Sequence, residues 1–129
     1  MKVLVLTNGN LEEREITNTL ESLQKIVEGY IEIPHLSRRF FENEIDIIIN
    51  EEGKYIDGLN PEIAVVDKKS GVILDLVYGN CIFASHDREG ETTELNEEQI
   101  RIVNEELSTI VILTNEDINK SFEVRVLFI

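Results

Sequence analysis

Residues Ala64 to Ser85 read AVVDKKSGVILDLVYGNCIFAS. Two apolar runs, Ala64 to Val66 and Val72 to Val77, flank the tight polar turn Lys68-Lys69-Ser70-Gly71, the pattern of a β-hairpin. Gly79 then interrupts the run as a bend or bulge, and Asn80 to Ser85 continue as strand. Strands that follow one another without a helical period between them break the βαβαβ rhythm that a doubly wound parallel sheet requires. The expectation is an α+β fold, with a mixed or antiparallel sheet of short strands and two main helices.

The flanks agree with that expectation. Val3 to Leu6 is an apolar run of strand length ended by the turn signal Asn8-Gly9-Asn10, and a second strand around Arg14 to Thr17 is expected to pair with it. Asn18 reads as a helix N-cap with Glu21 three residues on. Leu20, Leu23 and Val27 form one stripe, and Gly29 suits a left-handed stop, which places the first helix at about residues 19–28. Ile45 to Ile49 is another strand, followed by a turn at Asn50 to Lys54 and a return strand at Tyr55 and Ile56. Pro61 reads as the start of a short helix capped by Asn60. Residues 86 to 94 read as a polar surface loop. Asn96 and Gln99 form a capping box for the second helix, about residues 97–107, with Ile100, Val103 and Leu107 inward. Thr109 to Leu113 and Phe122 to Phe128 are strands, the second alternating with period two.

The length of 129 residues fits one domain, residues 1–129. Charge is the outlying property: 12 basic and 26 acidic residues leave a net −14. Such a balance speaks against direct binding of nucleic acid through its phosphates and against an anionic membrane surface. It suits a basic partner protein, cations, or a surface that imitates nucleic acid. The single cysteine, Cys81, cannot form an internal disulfide and fits a reducing compartment. The opening MKVLVLTNGN is too short in its apolar part for a signal peptide or a membrane span, so a cytoplasmic location is expected.

Motifs for chemistry are few. Neither GxGxxG nor GxxxxGK[ST] occurs. The only histidines are His35 and His86; Ser85 adjoins His86, but neighbours on a strand face opposite sides. Cys81, His86 and Asp87 lack the paired spacing of a zinc site, and the acidic loop lacks the pattern of a calcium loop. No catalytic residue, metal ligand or cofactor is therefore assigned. Asp46 and Asp75 sit inside apolar runs, where a carboxylate must pair or face outward. Two clusters remain. Asp87, Glu89, Glu91, Glu94, Glu97, Glu98 and Glu105 belong to an acidic stretch suited to a partner's basic surface. His35, Arg38, Arg39, Phe40 and Phe41 form the only basic and aromatic cluster, suited to an anionic or aromatic small ligand.

The segments Ile48-Ile49-Asn50-Glu51-Glu52-Gly53-Lys54, Gly58-Leu59-Asn60-Pro61 and Ile73-Leu74-Asp75-Leu76-Val77-Tyr78-Gly79 occur in this order, then Phe83, Gly90-Glu91 and Leu95-Asn96-Glu97-Glu98-Gln99. With Arg14-Glu15-Ile16, Leu23-Gln24-Lys25-Ile26-Val27 and Gly29-Tyr30-Ile31-Glu32 ahead of them, the chain over residues 1 to 100 resembles domain of unknown function 3846, a family carried by phages, plasmids and other mobile elements. It departs from that family at Asn60-Pro61-Glu62-Ile63, where members tend to have a second proline and an Asn-Arg pair. The resemblance implies a mobile-element origin and an intracellular setting, and no activity. Together with the charge, it leads to the expectation of a non-enzymatic accessory protein whose acidic face binds and inhibits a host protein, such as a basic or nucleic-acid-binding defence protein. The alternative is a module that sequesters a nucleotide-like molecule.

Overall fold

The computed structural model describes residues 1–129. The apolar run near the N-terminus becomes β1 (Lys2–Thr7), which turns through Asn8 and Gly9 into β2 (Asn10–Glu15). Both turn residues have positive φ, as the two-residue hairpin turn with right-handed strand twist requires. The second strand therefore starts at Asn10, earlier than the expected Arg14, because the ladder begins at the turn itself. The next elements are α1 (Leu20–Val27), β3 (Ile31–Glu32), α2 (Arg38–Glu42) and β4 (Ile45–Asn50). Strands β5 (Pro61–Val66), β6 (Ile73–Tyr78), β7 (Cys81–His86) and β8 (Thr92–Thr93) follow, then α3 (Glu97–Glu106), β9 (Ile110–Asn115) and β10 (Lys120–Phe128).

The strands form two sheets, an α+β architecture. The first has the order β2-β1-β7-β4-β3, with β8 also beside β7, and is antiparallel throughout. The second has the order β6-β5-β10-β9 and is mixed, since β5 and β10 run parallel. Helix α1 covers one face of the first sheet, packing Leu23 and Val27 against Val3, Val5, Ile48 and Ile82. The opposite face, with Leu4, Leu6, Ile47 and Phe83, meets α3 through Val103 and Leu107, and the second sheet through Ile63, Val65 and Leu127. Burial on both faces explains why β1 and β4 are runs rather than alternations.

The expected capping box of α3 is present. Asn96 accepts the Gln99 N–H at 2.8 Å and the Gln99 side chain accepts the Asn96 N–H at 2.9 Å. At α1 the cap is Thr19, not Asn18: its hydroxyl accepts the Ser22 N–H at 3.2 Å, while the Asn18 side chain reaches the Thr92 carbonyl. Glu28, not Gly29, takes the left-handed stop, at φ 63°. Gly29 is needed for space, since a Cβ there would lie 2.6 Å from Asn50 Nδ2. Residues 38–42, to which the sequence assigns no element, form a short helix capped by Ser37. Gly53–Tyr55 is a 3₁₀ turn with no return strand, because Asn50 turns inward to the α1 carbonyls. Pro61 opens a strand and not a helix, because β10 is available to pair with the residues that follow it.

Candidate functional site

The capping box fixes where α3 begins, and the residues just before it run along the start of β1. Leu95 donates its N–H to the Lys2 carbonyl at 2.9 Å, and Lys2 donates its own N–H to Glu94 at 3.2 Å. Lys2 Nζ reaches Glu97 at 3.3 Å. The hairpin register sets Lys2 opposite Glu15, and the N-terminal ammonium lies 3.5 Å from the Glu15 carboxylate. The hydrogen bond to Glu97, then the fields of Glu97, Glu13 and Glu15, raise the Lys2 ammonium above its ordinary value. Glu13 and Glu15 thus extend the acidic surface from α3 across the β1–β2 hairpin. They were missed in the sequence because 82 positions separate Glu15 from Glu97; the hairpin turn at Asn8-Gly9 was the one signal that placed them near Lys2.

The seven expected acidic residues are divided by their partners. Glu97 faces Lys2. Arg101 bridges Glu98 and Glu105 along α3, and Arg39 adds a bond of 2.8 Å to each of Glu105 and Glu106. Hydrogen bonds from Arg101 to Glu98 and from Arg39 to Glu105 hold both carboxyls below the ordinary range. Asp87 turns into its own loop, accepting the N–H groups of Glu89 and Glu91 at 2.9 and 3.0 Å. Glu89, Glu91 and Glu94 have no ion-pair partner.

The basic and aromatic cluster separates. Arg38 pairs with Glu42 at 2.8 Å on the surface, and Arg39 is turned to α3. Phe40 is buried edge-on against Phe83. His35 and Phe41 meet edge-on, with ring centroids 5.9 Å apart, and Phe41 is 67% exposed. These two rings border a cleft of about 340 Å³ that also contains Asp46, His86 and Gly90. His86 Nδ1 lies 2.9 Å from Asp46 Oδ2. The pair is a strand diagonal, since Asp46 stands opposite Ala84, two residues before His86. Both histidines therefore converge on one cleft beside the acidic loop.

Other candidate groups have structural partners. Ser85 faces away from His86, donating to the Glu44 carbonyl at 2.7 Å and accepting from Gln99. Asp75 pairs with Lys54 at 2.5 Å on the surface. Cys81 is fully buried, and burial pushes its thiol up. No group of three or more His, Cys, Asp and Glu side chains is placed to hold a metal ion, and no helix is long and apolar enough to cross a membrane.

Comparison with known proteins finds no match among curated proteins or solved structures. A family described as Domain of unknown function (DUF3846) matches residues 1–108, from β1 through the end of α3. That match takes in the hairpin, the histidine cleft and the acidic helix, and the chain belongs to the DUF3846 family.

Proposed function

We propose that this is a non-enzymatic binding protein of a phage or other mobile element. In this reading it acts in the host cytoplasm, and its acidic face occupies and inhibits a basic or nucleic-acid-binding host protein, a defence protein being one such target. The observation that carries the reading is the placement of Lys2 between Glu97 of α3, 3.3 Å away, and Glu15 and Glu13 of the neighbouring strand β2. Carboxylates from two separate elements crowd one face, with Lys2 and the N-terminal ammonium as the cations among them. Crowding of like charge is a standing cost that a basic partner relieves. Exposed Phe41, beside the acidic loop, adds the kind of aromatic anchor that dominates many interfaces. The protein needs no cofactor for this role. Capture of a partner by the wild-type protein and by the charge-reversed variant Glu13→Lys/Glu97→Lys/Glu98→Lys tests it.

A second reading is favoured by the convergence of His35 and His86 on the cleft. With Asp46 engaging Nδ1 of His86, Nε2 is left for a small aromatic or nucleotide-like ligand, stacked near Phe41. The same capture experiment addresses it if bound small molecules are extracted: a nucleotide recovered without a protein partner would reverse the ranking.

A further inference from the structure

We propose that β9 is a self-association edge, through which two copies of the chain pair antiparallel about a two-fold axis. A free strand edge offers unpaired N–H and C=O groups to any other strand, and proteins ordinarily blunt such edges with charge, bulges or brevity. The remaining edges here are blunted. β2 carries Glu12, Glu13 and Glu15; β3 and β8 have two residues each; β6 carries Asp75 and pairs with register shifts. β9, IVILTN, has six residues and no charge. Its apolar side chains also reach solvent on both faces. Ile110 and Ile112 are 46% and 60% exposed on one face, and Val111 and Leu113 are half-buried on the other.

The ladder states which groups are free. Val126 donates to the Thr109 carbonyl at 2.8 Å, so Thr109 and every second residue after it bond inward to β10. Ile110, Ile112 and Thr114 then direct their N–H and C=O groups outward. An antiparallel pair centred on Ile112 joins Ile112 to its counterpart and Ile110 to Thr114 of the second copy, for about six backbone hydrogen bonds. Val111 then lies beside Leu113 of the second copy on the opposite face. A second copy is the occupant that the register fits, since the outward groups of Ile110, Ile112 and Thr114 are symmetric about Ile112 and each copy supplies the set that the other lacks. β9 itself carries no charge, so it offers a basic segment no ion pair and opposes no like charges when two copies meet, while the net −14 of each chain keeps the contact weak. The contact is small, below about 1,200 Å² in total, which belongs to weak and reversible complexes. β9 lies beyond residues 1–108, so the pairing is a property of this chain's C-terminal hairpin and not of the family match.

Sedimentation velocity over about 1 to 300 μM, a range suited to a contact of that size, tests the proposal. The wild-type mass is expected to rise toward that of a dimer. Ile112→Pro removes one outward N–H without touching the β9–β10 ladder, and Ile112→Lys adds like charge at the axis. Each is expected to weaken association at least tenfold with an unchanged circular dichroism spectrum. Ile112→Cys gives an independent readout: since Cys81 is buried, a short bis-maleimide is expected to join the two copies through the introduced thiols, whose Cβ atoms are too far apart in a hydrogen-bonded pair for a direct disulfide. A wild-type protein that stays monomeric throughout, dimerisation that survives both folded variants, or an Ile112→Cys chain that does not cross-link would overturn the assignment.

Discussion

Glu62 joins the two sheets through backbone groups and not through a counter-charge. Its side chain, on β5, is buried and accepts the N–H of Gly9 at 2.9 Å and of Asn8 at 3.0 Å, the turn of the β1–β2 hairpin. Two consecutive residues at positive φ aim their N–H groups at one point, a small anion-binding nest. Burial raises the Glu62 carboxyl above its ordinary 4.5, against the lowering effect of the two N–H groups. A raised carboxyl binds its proton more tightly in the folded state. Stability from this group is therefore present below the ordinary value and falls as pH rises through the folded one. Chemical denaturation of wild type and Glu62→Gln across the acid range is expected to show that downward slope in wild type and its loss in the variant. Glu62→Ala leaves a buried donor unpaired and is expected to cost about 1–3 kcal/mol at neutral pH. Nothing in Asn60-Pro61-Glu62-Ile63 marks this role, because the donors lie more than 50 residues away in the chain. The Asn8-Gly9 turn that supplies them was legible, being set by two adjacent residues.

Among the elements, α1 ends on a group supplied by a strand. Asn50 Nδ2 donates to the Val27 carbonyl at 3.0 Å and the Glu28 carbonyl at 3.2 Å, and its Oδ1 accepts the Glu52 N–H at 2.8 Å. One buried amide thus caps the helix and shapes the turn after β4. Asn50→Ala leaves those carbonyls unpaired and is expected to lower stability by about 1–3 kcal/mol. Gly29→Ala, which sets a methyl group 2.6 Å from Nδ2, is expected to destabilise by a similar route. Thermal melts of the two single variants and the double variant check this, since residues sharing one contact are non-additive. The helix itself was visible from its stripe, and α3 from its capping box. The return strand after Gly53 was misread because the sequence of a turn does not tell where the chain goes next. Pro61 was misread for a related reason: proline suits the first position of a helix and of a strand alike, and only the arrival of β10 decides between them.

For the whole molecule, the segment beyond the family match is part of the core. Val124 and Leu127 are fully buried, Val126 nearly so, and Arg125 donates to the Gly9 and Leu107 carbonyls. β10 lies between β5 and β9, so removing it opens the side of β5. Full burial of such side chains stabilises by roughly 1.5–3 kcal/mol each, and three of them together, about 4.5–9 kcal/mol, rival a domain's total of about 5–15 kcal/mol. A chain ended after Ser108 is expected to lose its cooperative thermal transition, and a sharp two-state melt would contradict this. The alternation of Phe122 to Phe128 showed a strand in the sequence but not its central place in a second sheet, which rests on pairing across 62 positions.

Net charge was the clearest functional signal in the composition, and the fold gathers part of it on one face around Lys2. The most direct measurement is capture from cell lysate with tagged wild type and with Glu13→Lys/Glu97→Lys/Glu98→Lys, washed at low and then high salt. Screening shortens to about 3 Å at 1 M salt, so the account predicts a basic protein retained by wild type at low salt, released at high salt, and missing from the variant. The same partner held equally by both proteins, or unmoved by salt, would contradict it.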